Sequence, residues 1–448
     1  MEKDKHVLIA GAGLVGSLLS IYLSRRGYRV TLYERRGDMR REEVQAGRSI
    51  NLALSDRGIR ALQEVGIAEA VQTIAIPMHG RDIHTADGKR AFQPYGREGQ
   101  YINSVSRGEL NKKLMDLAEA EGVELYFNHR CHEVDWENKL VQFEREDAAI
   151  EIASFDIFLG ADGAYSAARM QHMTQHHLFD YQQFYIDCGY KEIAIPAGTG
   201  GTFLLEKNAL HIWPRKDYML IALPNLDGSF TGTLFFPFAG DTSFEQLTTP
   251  EAVAQFFGEK FPEVVQLVPD LTEQFFHNPT SSLVTVKCFP WIREDYFSLI
   301  GDAAHAIVPF FGQGMNCGFE DCVVLNQLLD QYDDNWEEVL PAFQLSRKID
   351  ADAIAELALN NFIEMRERTA DPKFLLQKKI EARLHEKYPD KWVPAYTQVT
   401  FSPDIRYSDA LRNAQRQEAI MQEVMSMPGI EISWQSEEVE HKILSLIG

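Results

Sequence analysis

A glycine triplet set between an apolar strand and an amphipathic helix constrains this chain more than any other feature. Gly11, Gly13 and Gly16 follow the run His6–Ala10 and open a helix predicted over 14–26. Gly11 permits a tight turn, Gly13 lets the backbone approach a pyrophosphate, and Gly16 lets helix pack closely on strand. A second predicted strand, 29–34, ends at Glu34, whose carboxylate can accept hydrogen bonds from ribose hydroxyls. This order commits the N-terminal part to a βαβ unit with a parallel sheet, its helix N-terminus offered to phosphate. Glu34 disfavours a 2′-phosphorylated nucleotide here, where like charges would meet. The triplet alone does not separate NAD from FAD.

Composition narrows the partners. With 448 residues, the chain has room for about three domain-sized units. A formal net charge of −22 excludes nucleic acid, because phosphate contacts need clustered Lys and Arg. The five cysteines, Cys131, Cys188, Cys288, Cys317 and Cys322, form no CxxC pair, so free thiols and no metal site are expected. The apolar run over 7–23 superficially resembles a signal peptide, but glycines interrupt it and the strand-turn-helix reading explains every residue. Nothing later approaches the ~20 apolar residues of a membrane span, and 437–442 is too polar for an anchor. The cytoplasm is the expected location, without a membrane partner.

Along the chain, 55–65 and 106–121 read as helices, with Ser106 a plausible N-cap and Gly122 a stop. From about 181 to 290 the chain reads as β-rich and aromatic, with short strands at 210–214, 218–223 and 232–238. An antiparallel sheet of this kind could wall an apolar substrate. A strand pattern returns at 297–302, and from 318 to about 386 and from 404 to 427 the sequence is mainly helical.

Two later turns decide the cofactor. Leu159-Gly160-Ala161-Asp162-Gly163 and Leu299-Ile300-Gly301-Asp302-Ala303-Ala304-His305 each end an apolar strand with a small residue beside an acid. In this the sequence resembles the single-component flavin aromatic hydroxylases, the para-hydroxybenzoate hydroxylase class. The resemblance implies bound FAD, with NADPH as a transient co-substrate lacking a Rossmann domain of its own. It implies an α/β fold: a Rossmann-like FAD-binding domain over 1–75, 100–180 and 290–330, interleaved with an antiparallel-sheet substrate domain over 76–99 and 181–289. A helical C-terminal region covers 331–448. The segment Gly312-Gln313-Gly314-Met315-Asn316 precedes a helix whose free N–H groups could stabilise negative charge on a reduced flavin.

The match goes closer. Ser49-Ile50-Asn51-Leu52-Ala53-Leu54-Ser55, Ser104-Val105-Ser106-Arg107-Gly108-Glu109-Leu110-Asn111, the run from His305 through Pro309-Phe310-Phe311 to Asn316, and Asn361-Phe362-Ile363-Glu364-Met365-Arg366 resemble the kynurenine 3-monooxygenases. That resemblance implies hydroxylation of L-kynurenine at C3 with NADPH and O₂, the oxygen delivered from flavin C4a. The eukaryotic members carry a membrane-anchoring tail where this chain departs, so a soluble bacterial type is expected. Carried over by position, Arg81 and Tyr95 would hold the substrate carboxylate, with Asn361 and Tyr396 as further polar contacts. Phe310 and Phe236 are candidates to pack on the aniline ring. Gly11, Gly13, Val15, Gly16, Glu34, Arg35, Ala53, Arg107, Asp162, Asp302, Gly314, Met315 and Asn316 form the expected cofactor set. His305 reads as structural, and no catalytic base is assigned. A hydroxylase of another aromatic or quinone precursor, or a non-catalytic flavoprotein module, stays open as an alternative. The sequence leaves the oligomeric state open and admits a homodimer.

Overall fold

The strand His6–Ala10 lies inside a six-stranded sheet, and the rest of the nucleotide-binding region is arranged around it. The computed structural model describes residues 5–41, 51–97, 99–364 and 372–447; Ser49, Ile50, Met365 and Arg366 of the strings above lie outside them. The sheet runs Ile292–Arg293, Phe297–Leu299, Ile157–Gly160, His6–Ala10, Arg29–Tyr33, Glu124–Tyr126. All pairs are parallel except that of Ile292–Arg293 with Phe297–Leu299. Strands 6–10 and 157–160 are buried almost throughout, as parallel strands covered on both faces must be. Helix Leu14–Arg25 packs on one side, its Leu18, Leu19, Ile21 and Leu23 joining the core beneath.

The C-terminal ends of three parallel strands, at Ala10, Gly160 and Leu299, therefore sit side by side. Each is followed by one of the turns read from the sequence. Helix Arg107–Ala120 begins where expected, with the Ser106 hydroxyl accepting from the Glu109 N–H at 3.4 Å.

The second sheet has seven strands in the order Ser281–Phe289, Asp180–Ile195, Phe230–Phe236, Tyr218–Pro224, Ala209–Arg215, Gly80–His84, Arg90–Pro94. One pairing is parallel, Gly80–His84 with Ala209–Arg215; the others are antiparallel. The stretch 181–290 is not β throughout. Helices Pro250–Lys260, Pro262–Leu267 and Leu271–His277 cover one face of the sheet, packing Val253, Phe257, Phe261 and Phe275 against Trp213, Leu220, Leu234 and Phe236. Pro250 and Pro262 stand at the first helical positions of two of them, where a missing N–H costs nothing.

Two three-stranded sheets, Ile150–Ser154 with Leu140–Arg145 and His129–Asp135, and Asn51–Leu54 with Ile102–Ser106 and Ala75–Met78, complete the strands. The C-terminal part is helical, led by Gly314–Gln331, Trp336–Ile363, Pro372–Lys387 and Tyr407–Met425. Among the described residues, no helix is long and apolar enough to cross a membrane. All five cysteines are free and buried.

Candidate active site

The three strand ends meet through glycines. Gly11 has φ +104°, and a Cβ there would stand 2.5 Å from the Ala161 carbonyl oxygen. A Cβ on Gly16 would stand 2.0 Å from the Gly11 carbonyl oxygen. The first turn, its helix and the Ala161 turn thus touch backbone to backbone. Glu34 is buried and accepts from the Ala12 N–H at 3.0 Å, tying the turn to the second strand. Arg35, expected among the cofactor contacts, is exposed and not on the cavity wall; Arg36 pairs with Glu34, at 2.9 Å.

A cavity of 2220 Å³ opens beside these turns, lined by Gly13, Val15, Ala53, Arg107, Ala161, Gly163, Asp302, Gly314 and Met315. It exceeds the roughly 300–1,000 Å³ typical of a small-molecule site, leaving room for a dinucleotide and a second molecule. Two observations fit FAD to it. A Cβ on Gly13 would meet nothing within 4 Å, so bare backbone faces open space where the helix begins. Asp302 is half-buried on the wall, and among the described residues nothing donates a hydrogen bond to its carboxylate. Burial raises its carboxyl above the usual range, and the Arg107 charge partly offsets this. Such an acid calls for hydroxyl donors, which the sugar and ribityl parts of FAD carry. Helix Gly314–Gln331 also starts on the wall, its first-turn N–H groups without intrahelical partners.

Two expected cofactor contacts are used differently. The Asp162 carboxylate accepts from the Ala167 and Ala168 N–H groups at 2.7 and 3.1 Å, capping helix Ala167–Thr174. Its neighbours Ala161 and Gly163 face the cavity instead. Asn316 is fully buried, donating to the Ala53 and Gly312 carbonyls, both at 2.9 Å, and accepting from the Ser55 N–H at 3.0 Å. It clamps the 51–55 segment to the helix start and so shapes the wall from behind.

The same cavity continues to Arg81, Tyr95, Tyr396, Asn361 and Phe310. The Arg81 guanidinium lies 4.6 Å from the Tyr396 ring centre and 5.3 Å from that of Tyr95. Among the described residues it has no carboxylate within ion-pair distance. Burial pushes both phenols above their ordinary range, so both remain protonated donors. Asn361 donates to the Phe310 carbonyl at 2.7 Å. Phe236, expected on the ring-binding wall, is not there. It points into the helical layer against Tyr218, Phe244 and Phe256. Its neighbour Phe235 faces the cavity, 5.1 Å from Phe310 between ring centres, because successive strand residues face opposite ways.

Behind the third turn lies a buried charge network. Asp321 accepts from the Gly301 N–H at 2.9 Å and contacts His305 Nε2 at 2.7 Å. Arg347 binds Asp321 and Glu320, both at 2.7 Å, and Glu320 also meets Arg57 at 2.5 Å. His305 is therefore held by its carboxylate, off the cavity wall. Sequence reasoning missed this network, because nothing local marks Arg57, Glu320 or Arg347 as buried.

Comparison with known proteins places this geometry. A model for an FAD binding domain matches residues 4–207 and 270–337, more than half of the chain. The chain is 51% identical over 448 residues to a kynurenine 3-monooxygenase of Flavobacterium johnsoniae, covering all of both. It belongs to the kynurenine 3-monooxygenase family. A Legionella pneumophila family member is 41% identical over 446 residues, with 99% of this chain and 98% of the relative covered. Among solved structures, 2-methyl-3-hydroxypyridine-5-carboxylic acid oxygenase superposes with a TM-score of 0.70 at 18% identity, covering 90% of this chain and 98% of that one. Klebsiella pneumoniae HpxO, solved with FAD and uric acid, gives 0.68 at 19% identity, covering 86% and 95%. At such identities these two speak to the fold. As in the kynurenine 3-monooxygenase family at large, the cofactor of this chain is FAD and the enzyme type is an aromatic monooxygenase that consumes NADPH.

Proposed function

We propose that this chain hydroxylates L-kynurenine to 3-hydroxy-L-kynurenine, using FAD, NADPH and O₂, in the cytoplasm of a bacterium. One observation carries the substrate: a guanidinium without a carboxylate partner among the described residues faces the cavity between two protonated phenols. A buried charge needs a counter-charge, and an amino-acid carboxylate of the substrate supplies one. Arg81 can take it bidentately, with Tyr95 and Tyr396 adding oriented donors.

Bound FAD supplies the redox chemistry, accepting electrons from NADPH and activating O₂. The protein holds and screens. Gly13 and the helix behind it receive the pyrophosphate, Asp302 accepts from sugar or ribityl hydroxyls, and the start of helix Gly314–Gln331 offers N–H groups to the flavin ring. Phe235 and Phe310 flank the space between that helix and Arg81, where an aniline ring would lie. Met219, Ile221 and Leu223 complete an apolar wall that limits water. Orientation fixes which ring carbon is presented, while the ring's amino group directs electron density ortho to itself. The bacterial relatives and the free thiols support the cytoplasmic location.

Arg81→Ala is expected to raise the KM for kynurenine about 10–100-fold, corresponding to roughly 1.5–3 kcal/mol for a lost charge-assisted bond. FAD content should not change. The check is steady-state NADPH oxidation beside the flavin absorbance, with 3-hydroxykynurenine quantified. An unaltered KM would mean the carboxylate is held elsewhere.

A further inference from the structure

The face of the seven-stranded sheet turned from the cavity carries a cluster that hydroxylation does not use. Asp82 and His84 alternate along Gly80–His84, and His211 on the paired strand is in direct register with Asp82. All three are buried, at 7%, 2% and 0% exposure. One ligand-type atom from each lies within 4.8 Å of the others. His84 Nε2 is 3.0 Å from His211 Nδ1, which is 3.6 Å from Asp82 Oδ2.

The outer nitrogen of each ring fixes what the inner one presents. His211 Nε2 lies 2.9 Å from the Glu206 carbonyl oxygen, which can only accept, so that nitrogen carries a hydrogen. His84 Nδ1 lies 2.8 Å from Glu263 Oε2, an oxygen that also accepts from Trp213 Nε1 at 3.2 Å. With both outer nitrogens donating, the 3.0 Å contact between the inner nitrogens holds one shared proton, and a cation that displaces it meets two lone pairs beside the Asp82 carboxylate. Metal-binding imidazoles are oriented in this way, by a carboxylate or carbonyl on the far nitrogen. Tetrahedral coordination at ~2.0–2.1 Å puts ligand atoms about 3.3–3.4 Å apart. The two separations given above bracket that spacing.

We infer that Asp82, His84 and His211 form a binding site for a divalent cation of the Zn²⁺ class, with water as the fourth ligand. Arg90 pairs with Asp82 in the cation-free arrangement. Its side chain is 48% exposed and can swing into solvent when a metal takes the carboxylate. The other trio of this kind among the described residues, His305, Cys317 and Asp321, already holds a cation: Arg347 binds Asp321 at 2.7 Å and the Cys317 carbonyl at 3.2 Å. A bound metal would clip the strand that presents Arg81 to its neighbour, and through Glu263 to helix Pro262–Leu267. Cysteine spacing gave no hint of it, since the two histidines are 127 positions apart and meet only when the strands pair.

The test uses tag-free, FAD-loaded enzyme, stripped with chelator, dialysed and titrated with Zn²⁺. One equivalent per chain should be retained by elemental analysis. X-ray absorption should show only nitrogen and oxygen neighbours near 2.0–2.1 Å. Competition against a chromophoric chelator should give affinity about 100-fold weaker or worse in His211→Gln, and 10–100-fold weaker in Glu263→Gln, where only the outer partner is altered. Should His211→Gln fail to bind FAD, the absorption spectrum and the half-exposed Glu263 variant still decide. No retained Zn²⁺ (the two rings then sharing a proton), a sulfur neighbour, or a Glu263→Gln affinity equal to wild type would each overturn the site.

Discussion

Gly16→Ala is expected to yield protein that purifies with less than about a tenth of the wild-type flavin. The added Cβ would be 2.0 Å from the Gly11 carbonyl oxygen, 3.2 Å from its carbon and 3.4 Å from the Ala161 side chain. The closest two are backbone, so no side-chain rotation relieves them. Gly11 cannot retreat freely, because its N–H donates to the Tyr33 carbonyl at 2.7 Å and Ala12 is held by Glu34. Helix Leu14–Arg25 must therefore lift from the strand and carry its N-terminus away from the phosphate position. Overpacking of this kind costs about 1–3 kcal/mol, which taken entirely from the cofactor complex is up to ~100-fold in affinity. Gly13→Ala separates the two roles of the triplet. Its Cβ clashes with nothing in the protein, so apoprotein stability should hold while FAD affinity falls. The ratio of flavin to protein absorbance, with urea unfolding of the apoproteins, reads both effects. A Gly16→Ala protein with full flavin would show that the helix approach is not required.

The nucleotide half of the fold was legible because its signals are local. Strand, turn and helix follow one another within 25 residues of Gly11, and each glycine reports a contact that only glycine permits. The turns at Asp162 and Asp302 were legible as positions, but an acid just before a helix can cap it as readily as meet a cofactor, and capping is what the Asp162 carboxylate does. Strand parity in the substrate sheet was not legible. Phe230–Phe236 is buried on both faces, so alternation gives no polar side from which to count. Phe235 and Phe236 exchange roles on that ambiguity alone. The helices at 250–277 were hidden by aromatic residues that suit short strands and by prolines that suit the breaks between them. Arg81 and Tyr396 come together from positions far apart in the chain. Their pairing came from the family resemblance and not from spacing. Buried charges such as Arg57 and Arg347 look in sequence like any other solvent-exposed charge on a helix.

Arg347→Met carries the second large effect. Arg347 is 1% exposed and touches Asp321, Glu320 and the Cys317 carbonyl, with Asp350 at 3.4 Å. Removing it leaves three buried carboxylates sharing Arg57, Arg60, His305 and the half-exposed Arg406. Breaking a buried pair by deleting one partner costs about 3–5 kcal/mol, because the remaining charge has no water to return to. The loss should reach the cofactor, since Asp321 also holds the Gly301 N–H one residue before Asp302. Lower stability in urea together with weakened FAD is the expected pair of results. Arg347→Lys, which keeps the charge but not the planar fork, should recover part of both. The network also sets a pH window. Burial opposes charge on Asp321, yet His305 and Arg347 outweigh it and hold that carboxyl below its usual range. Burial likewise opposes charge on His305, yet Asp321 carries it well above its usual range. The Asp321 contribution is present above the ordinary carboxylate pKa of about 3.9 and fades as pH falls toward its lowered value. The His305 contribution is full below about 6.5 and fades as pH rises toward its raised value. Wild-type stability from this network should therefore be greatest between those limits, and the gap between wild type and Arg347→Met should narrow as pH falls, because Asp321 in the variant regains its proton sooner and its buried charge is relieved. Equal stabilities for the two proteins across that range would mean that the network's charges are neutralised some other way.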